Sequence, residues 1–103
     1  MINNEDAIDW DTPDEQTYQL RLFVTGTSPA SVRAINNLHV ILEKHLKGRY
    51  ELEIIDVYQQ PLLAKSEDIT AIPVLIKKDP KPVRRLVGDM SDESKVLRGL
   101  GLL

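Results

Sequence analysis

The side chains able to do chemistry here are few, and their spacing argues against most of it. His39 and His45 are the natural metal ligands and proton carriers. They stand six residues apart, about 240° around a helix, so they share no face and no metal site is expected from them. Ser28 and Ser31 would need an adjacent general base to act as nucleophiles, and the sequence suggests none. The "TGTSPAS" stretch that holds them reads better as a helix start. Ser28 can cap the free amides, and Pro29 fits the first helical position, where its missing N–H is not needed. That stretch also lacks the GK[ST] of a phosphate loop. Asp56 follows two isoleucines near a strand end, where hydrogen bonding is its ordinary use. The chain has no cysteine, which removes disulfides, zinc fingers and thiol catalysis. No catalytic residue, metal or cofactor is expected, and the default compartment of a cysteine-free chain is the cytoplasm.

Basic residues offer more. Arg33, Lys77, Lys78, Lys81, Arg84 and Arg85 are spread over a helix start and one hairpin. Adjacent arginines on a strand point to opposite faces, so one of Arg84 and Arg85 is expected to turn toward protein or an interface. Tyr18, Phe23, Tyr50 and Tyr58 show no stacking pattern beside these bases, so nucleic acid is not the expected partner.

The elements that must position these residues follow from periodicity. Tyr18, Leu20, Leu22 and Val24 alternate with Gln19, Arg21 and Phe23, which predicts a strand. A helix follows, with Val32, Ile35, Leu38, Ile41, Leu42 and Leu46 as its buried stripe and Gly48 as its stop. Tyr50 to Tyr58 reads as a second strand, parallel to the first across the helical crossover. Pro61 can open a short helix with Leu62, Leu63 and Ile69 inward. "PVLIKK" and "PVRRLVGD" read as two strands, and the "DPK" gap between them forces an antiparallel hairpin. The last element, "SDESKVLRGLGLL", has Ser91 as cap. It is weakly specified as a helix, because Gly99 and Gly101 would each cost about 1 kcal/mol against alanine. The order βαβαββα is that of a thioredoxin-like mixed sheet with flanking helices, and Ile72-Pro73 sits where such folds place a proline, usually cis, before the third strand. The loop that carries the thioredoxin cysteines here reads "TGTSPAS".

Residues 1–17 hold six acids (Glu5, Asp6, Asp9, Asp11, Asp14, Glu15) and no lysine or arginine. They predict a disordered acidic arm ahead of a domain over 18–103. The remainder keeps 13 bases against 10 acids. The solvated tail is the ordinary reading of such an arm. A docking or masking peptide anchored by Ile8 and Trp10 is the functional one. No run of about 18 apolar residues exists to span a membrane.

With these residues in place, "LFVTGTSPASVRAINNL", "YELEIIDVYQQPLLA", "AIPVL" and "PVRRLVGDMSDESKVLRGLGLL" resemble the KaiB family of circadian-clock proteins, from Tyr18 to Leu103. The PVRR–GD block is the specific part. The resemblance implies a non-enzymatic clock or stress regulator that binds a KaiC-type ATPase ring and sequesters a KaiA-like protein or competes with a sensor histidine kinase. It implies Arg33, Lys77, Arg84 and Arg85 as partner-binding residues. It also implies a fold-switching second half. One form is thioredoxin-like and monomeric. The other, ordered βαββααβ, builds a homodimer or homotetramer at rest. Pro73, Pro80, Pro82, Gly88, Asp89, Gly99 and Gly101 are the expected switch and structural positions; X–Pro isomers differ by only about 0.5–1 kcal/mol. Asn36, Glu53 and Asp68 replace residues usually basic in the family, and Gly101 replaces an acid. A cysteine-free thioredoxin-fold enzyme or chaperone is the alternative, as is a paralogue without KaiC contact.

Overall fold

The structure, a computed structural model, describes residues 16–103. The acidic arm therefore lies outside the described residues, apart from its last two.

The alternating stretch forms β1 (Tyr18–Val24). Both of its faces are covered: Leu20, Leu22 and Val24 on one side and Phe23 on the other are all buried. Helix α1 (Pro29–His45) starts as expected, with the Ser28 side chain accepting from the Ser31 amide and Pro29 in the first turn. Its inward stripe is Ser31, Ala34, Leu38, Ile41 and Leu42, at the three- and four-residue spacing of one helix face. Val32 was expected in that stripe. It lies about 100° off the row and is exposed.

β2 (Tyr50–Asp56) pairs in parallel with β1, Tyr18 opposite Tyr50 and Val24 opposite Asp56. It stops two residues short of the expected Tyr58, because the Asp56 carboxylate accepts from the Tyr58 and Gly26 amides and turns the chain. α2 (Pro61–Ser66) has room for only one inward row: Leu63 and Ala64, with Ile69 after them, pack on Phe23, Ile55, Val74 and Ile76. Leu62, expected inward, is exposed.

β3 (Val74–Asp79) runs antiparallel to β1, and β4 (Arg84–Val87) antiparallel to β3. The sheet order is β2-β1-β3-β4. The bonds Ile72–Pro73, Asp79–Pro80 and Lys81–Pro82 are cis. α3 (Glu93–Leu100) closes the fold, burying Val96 and Leu100 with α1 against Leu20, Leu22 and Leu75. The observed order is βαβαββα, the expected one, and not the βαββααβ alternative.

The last helix is better specified than its glycines suggested. Asp92, not Ser91, is the cap and accepts from the Lys95 amide at 3.1 Å. Gly101 stands outside the helix at φ +80°, as its left-handed C-cap. A glycine there ends the helix rather than weakening it. Gly99 is in the helix, and its missing side chain lets α3 lie directly on Leu86 of β4.

Candidate partner-binding surface

The four expected partner-binding residues come from α1, β3 and β4 and have four different environments. Arg84 and Arg85 divide as strand alternation requires. Arg85 turns to the α2 side. Its guanidinium donates to the backbone carbonyls of Glu67 and Asp68, where α2 ends, and stands 3.9 Å from the Glu67 carboxylate. That carboxylate is the hub of the face, accepting from Lys78 at 2.6 Å and from Arg21 at 2.9 Å. The Lys78 hydrogen bond, reinforced by the charges of Lys78, Arg21 and Arg85, holds the Glu67 carboxyl below the ordinary glutamate range against the opposing effect of burial. Arg85 and Lys78 thus fasten α2 to the hairpin.

Arg84 lies on the opposite face, exposed, with no hydrogen-bond or ion-pair partner among the described residues. Lys77 sits beside it across the β3–β4 pair. Lys77, expected to contact a partner, is only 4% exposed here. The C-terminal turn of α3 covers it: a Cβ on Gly101 would lie 3.8 Å from its Nζ. Burial first, and then the Arg84 charge, push the Lys77 ammonium below the usual lysine range.

Arg33 is exposed on α1 and pairs with Asp89 at 3.0 Å. The Asp89 carboxylate also accepts from the Ser91 amide, and its carbonyl accepts from Asn37. Ser91 chiefly, and then Arg33, hold that carboxyl below its ordinary value. Gly88, at φ +129°, and Asp89 therefore form a turn that is tied to α1. Next to it, Leu86, Gly88, Met90 and Val96 help line a cavity of about 80 Å³.

Ser31 and His45 each have hydrogen-bond partners within the domain. Ser31 is fully buried and accepts from the Thr25 amide and the Ser28 hydroxyl. His45 bonds Glu93 at 2.7 Å, and His39 is exposed at a separate position on α1. No group of three or more potential metal ligands occurs among the described residues. Sequence reasoning missed Glu67 altogether. It lies 46 residues from Arg21, and nothing in its local sequence marks it as a hub.

The family profile described as "KaiB domain" matches residues 21–102. The chain belongs to the KaiB family. It is 53% identical over 88 residues to the circadian clock oscillator protein KaiB of Prochlorococcus marinus strain MIT 9312, covering 85% of this chain and 84% of that one. It is 52% identical over 91 residues to KaiB of Thermostichus vulcanus, covering 88% and 84%. Among solved structures, the N-terminal domain of Synechococcus elongatus SasA superposes with a TM-score of 0.71 at 23% identity, over 97% of this chain and 92% of that one. Mitochondrial thioredoxin 3 of Saccharomyces cerevisiae superposes at 0.69 and 15% identity, over 85% and 80%. Those likenesses establish the thioredoxin-like fold of this KaiB domain. With no cysteine in the chain, the thioredoxin dithiol chemistry has no reactant. No helix among the described residues is long and apolar enough to cross a membrane.

Proposed function

We propose that this KaiB domain is a non-enzymatic clock or stress-timing regulator of the cytoplasm, which docks through the outer face of its β3–β4 hairpin onto the ATPase ring of a KaiC-type protein. The observation that carries the reading is the use made of the PVRR–GD block. Arg85 is spent on Glu67 and Asp68, and Asp89 on Arg33. Arg84 alone of these four charged residues is exposed without a partner among the described residues. An unpaired arginine on a short edge strand costs nothing to uncover, and arginine is among the residues that dominate interface energetics.

The same reading includes a second partner, a KaiA-like protein or a sensor histidine kinase, and a resting homodimer or homotetramer in which the chain from about Pro61 onward is packed differently. Family membership at about half identity supports both. α3 meets β4 where Gly99 lies against Leu86, a contact that such a repacking would replace. The testing experiment is co-sedimentation of the full chain with a purified KaiC-type hexamer. The chain should move to the hexamer's sedimentation coefficient. Sedimentation of the chain alone, at tens of micromolar and low salt, would remove the proposal.

A further inference from the structure

Lys77 and Arg84 stand opposite one another across the β3–β4 pair. Residues so placed share a face of the sheet, with Cβ atoms about 4.5–5.5 Å apart, and like charges there repel. The other cations of the hairpin have acids: Lys78 and Arg85 have Glu67, and Lys81 has Asp79 at 3.8 Å. Lys77 and Arg84 have neither a carboxylate within 4.0 Å nor a hydrogen-bond partner among the described residues.

A buried lysine is ordinarily paired. Lys77, at 4% exposure, is not. Its neighbour on β1 is the buried Leu20, so its stem extends the core and its ammonium lies at the margin. There it meets the turn after α3 at a residue without a side chain. A Cβ on Gly101 would lie 3.8 Å from the Lys77 Nζ, and apart from the residues flanking Gly101 it would have no other atom of the described chain within 4 Å. Gly101 is itself exposed. The ammonium therefore adjoins a space that no side chain fills, with the exposed Arg84 guanidinium beside it on the same face.

An oxyanion suits such a pair. It brings the missing negative charge, offsets the repulsion between the two cations and gives the buried ammonium a hydrogen bond. Two charge-assisted hydrogen bonds of about 2.8 Å each span about 5–6 Å, close to the separation of two opposed side chains. Arginine adds a planar fork that matches carboxylate and phosphate geometry.

We infer that Lys77 and Arg84 form one oxyanion-binding site beside Gly101, which takes a carboxylate or a phosphate group. Arg84 captures the anion at the surface, and Lys77 supplies the second, buried bond from beneath the final turn of α3. The site itself does not depend on what the hairpin docks against. Its consequence, that the ring offers Arg84 an acidic side chain, rests on the function proposed above.

Two probes separate a free ion from a protein side chain: inorganic phosphate, and glutamate blocked at both main-chain ends. Each is titrated at neutral pH into the full chain, Lys77→Met and Arg84→Gln, with chloride holding the ionic strength constant and amide NMR confirming that every variant is folded. In the parent, at least one probe should give saturable shifts at the amides of Lys77, Arg84 and Gly101. Each variant should bind that probe at least about tenfold more weakly, the loss of one hydrogen bond to a charged group. Tighter binding of blocked glutamate supports a protein side chain as the natural occupant. Tighter binding of phosphate keeps the site and withdraws that consequence. Strictly linear shifts with both probes would overturn the site. So would parent-like affinity in either variant, since the two cations would then act separately. Neither probe involves the ATPase ring, so failure here is distinguishable from failure of the proposed function.

Discussion

A Cβ on Gly99 would lie 2.7 Å from Cγ of Leu86 and closer still to its Cδ1. The last helix and the edge strand therefore approach as closely as a glycine allows. Two effects of opposite sign meet at this position. Alanine would remove the helix penalty of glycine, about 1 kcal/mol, and would force Leu86 aside. Leu86 is half-buried and lines the cavity of about 80 Å³ next to it, so it has somewhere to move.

The first prediction separates those effects. In a Leu86→Ala background, Gly99→Ala should stabilise the fold by about 1 kcal/mol. In the parent the gain should be smaller by the cost of displacing Leu86, a coupling in the usual range of about 0.5–3 kcal/mol for residues in contact. Urea unfolding of the four proteins measures it. An identical effect of Gly99→Ala in both backgrounds would show that the two residues do not touch.

Glu67 gives the second prediction. Its side chain is 15% exposed and receives Lys78, Arg21 and Arg85, which are themselves 31–42% exposed. Solvent screening at those cations keeps the expected loss on Glu67→Gln to about 1–3 kcal/mol at neutral pH. Its pKa is depressed in the folded state. The stabilisation is therefore complete above the ordinary glutamate value and is lost as pH falls through the folded one. The gap between parent and Glu67→Gln should narrow as pH drops below about 4.5. A gap that stays constant down to pH 2 would mean that the carboxylate's charge contributes nothing.

The third concerns Lys77, whose sign is opposite to that of a lysine in an ion pair. Its folded pKa lies below the ordinary 10.5, so the penalty for burying the charged form is fully present below the folded value. Stability should rise as pH climbs from there toward 10.5. Lys77→Met keeps most of the length and removes the charge. It should be neutral or stabilising at pH 7, and it should abolish the alkaline rise. If the Lys77→Met variant is less stable than the parent at pH 7, the ammonium has a favourable partner.

Most of the fold was legible in the sequence, because each element announced itself locally. Alternation marked β1, the Ser28-Pro29 start and the Gly48 stop bounded α1, and a gap too short for a crossover forced the β3–β4 hairpin. The surface was less legible, because its properties come from long-range register. The alternation rule said that one of Arg84 and Arg85 turns inward, but which one depends on where α2 ends. Lys77 read as a surface lysine because its cover, the final turn of α3, is 24 residues farther along. Gly101 read as a helix defect because its left-handed φ is visible only in three dimensions.

A fourth prediction follows from the proposed resting oligomer. A gap of a few kcal/mol between two packings leaves the minor one at about 0.1–10%. Amide NMR over a dilution series should show a second set of signals confined to residues 61–103, growing with concentration, while β1 and α1 keep one set each. A single set at every concentration would mean that the domain is held in the thioredoxin-like form.

The central claim is that Arg84 is the residue this domain presents to a KaiC-type ATPase ring. The most direct test is the affinity of the full-length parent and of Arg84→Gln for the same purified hexamer, at one fixed salt concentration and with circular dichroism confirming that both are folded. Removing one side of a desolvated charge pair costs about 2–5 kcal/mol, so the variant should bind at least about 30-fold more weakly. Equal affinity of the two proteins would contradict the account.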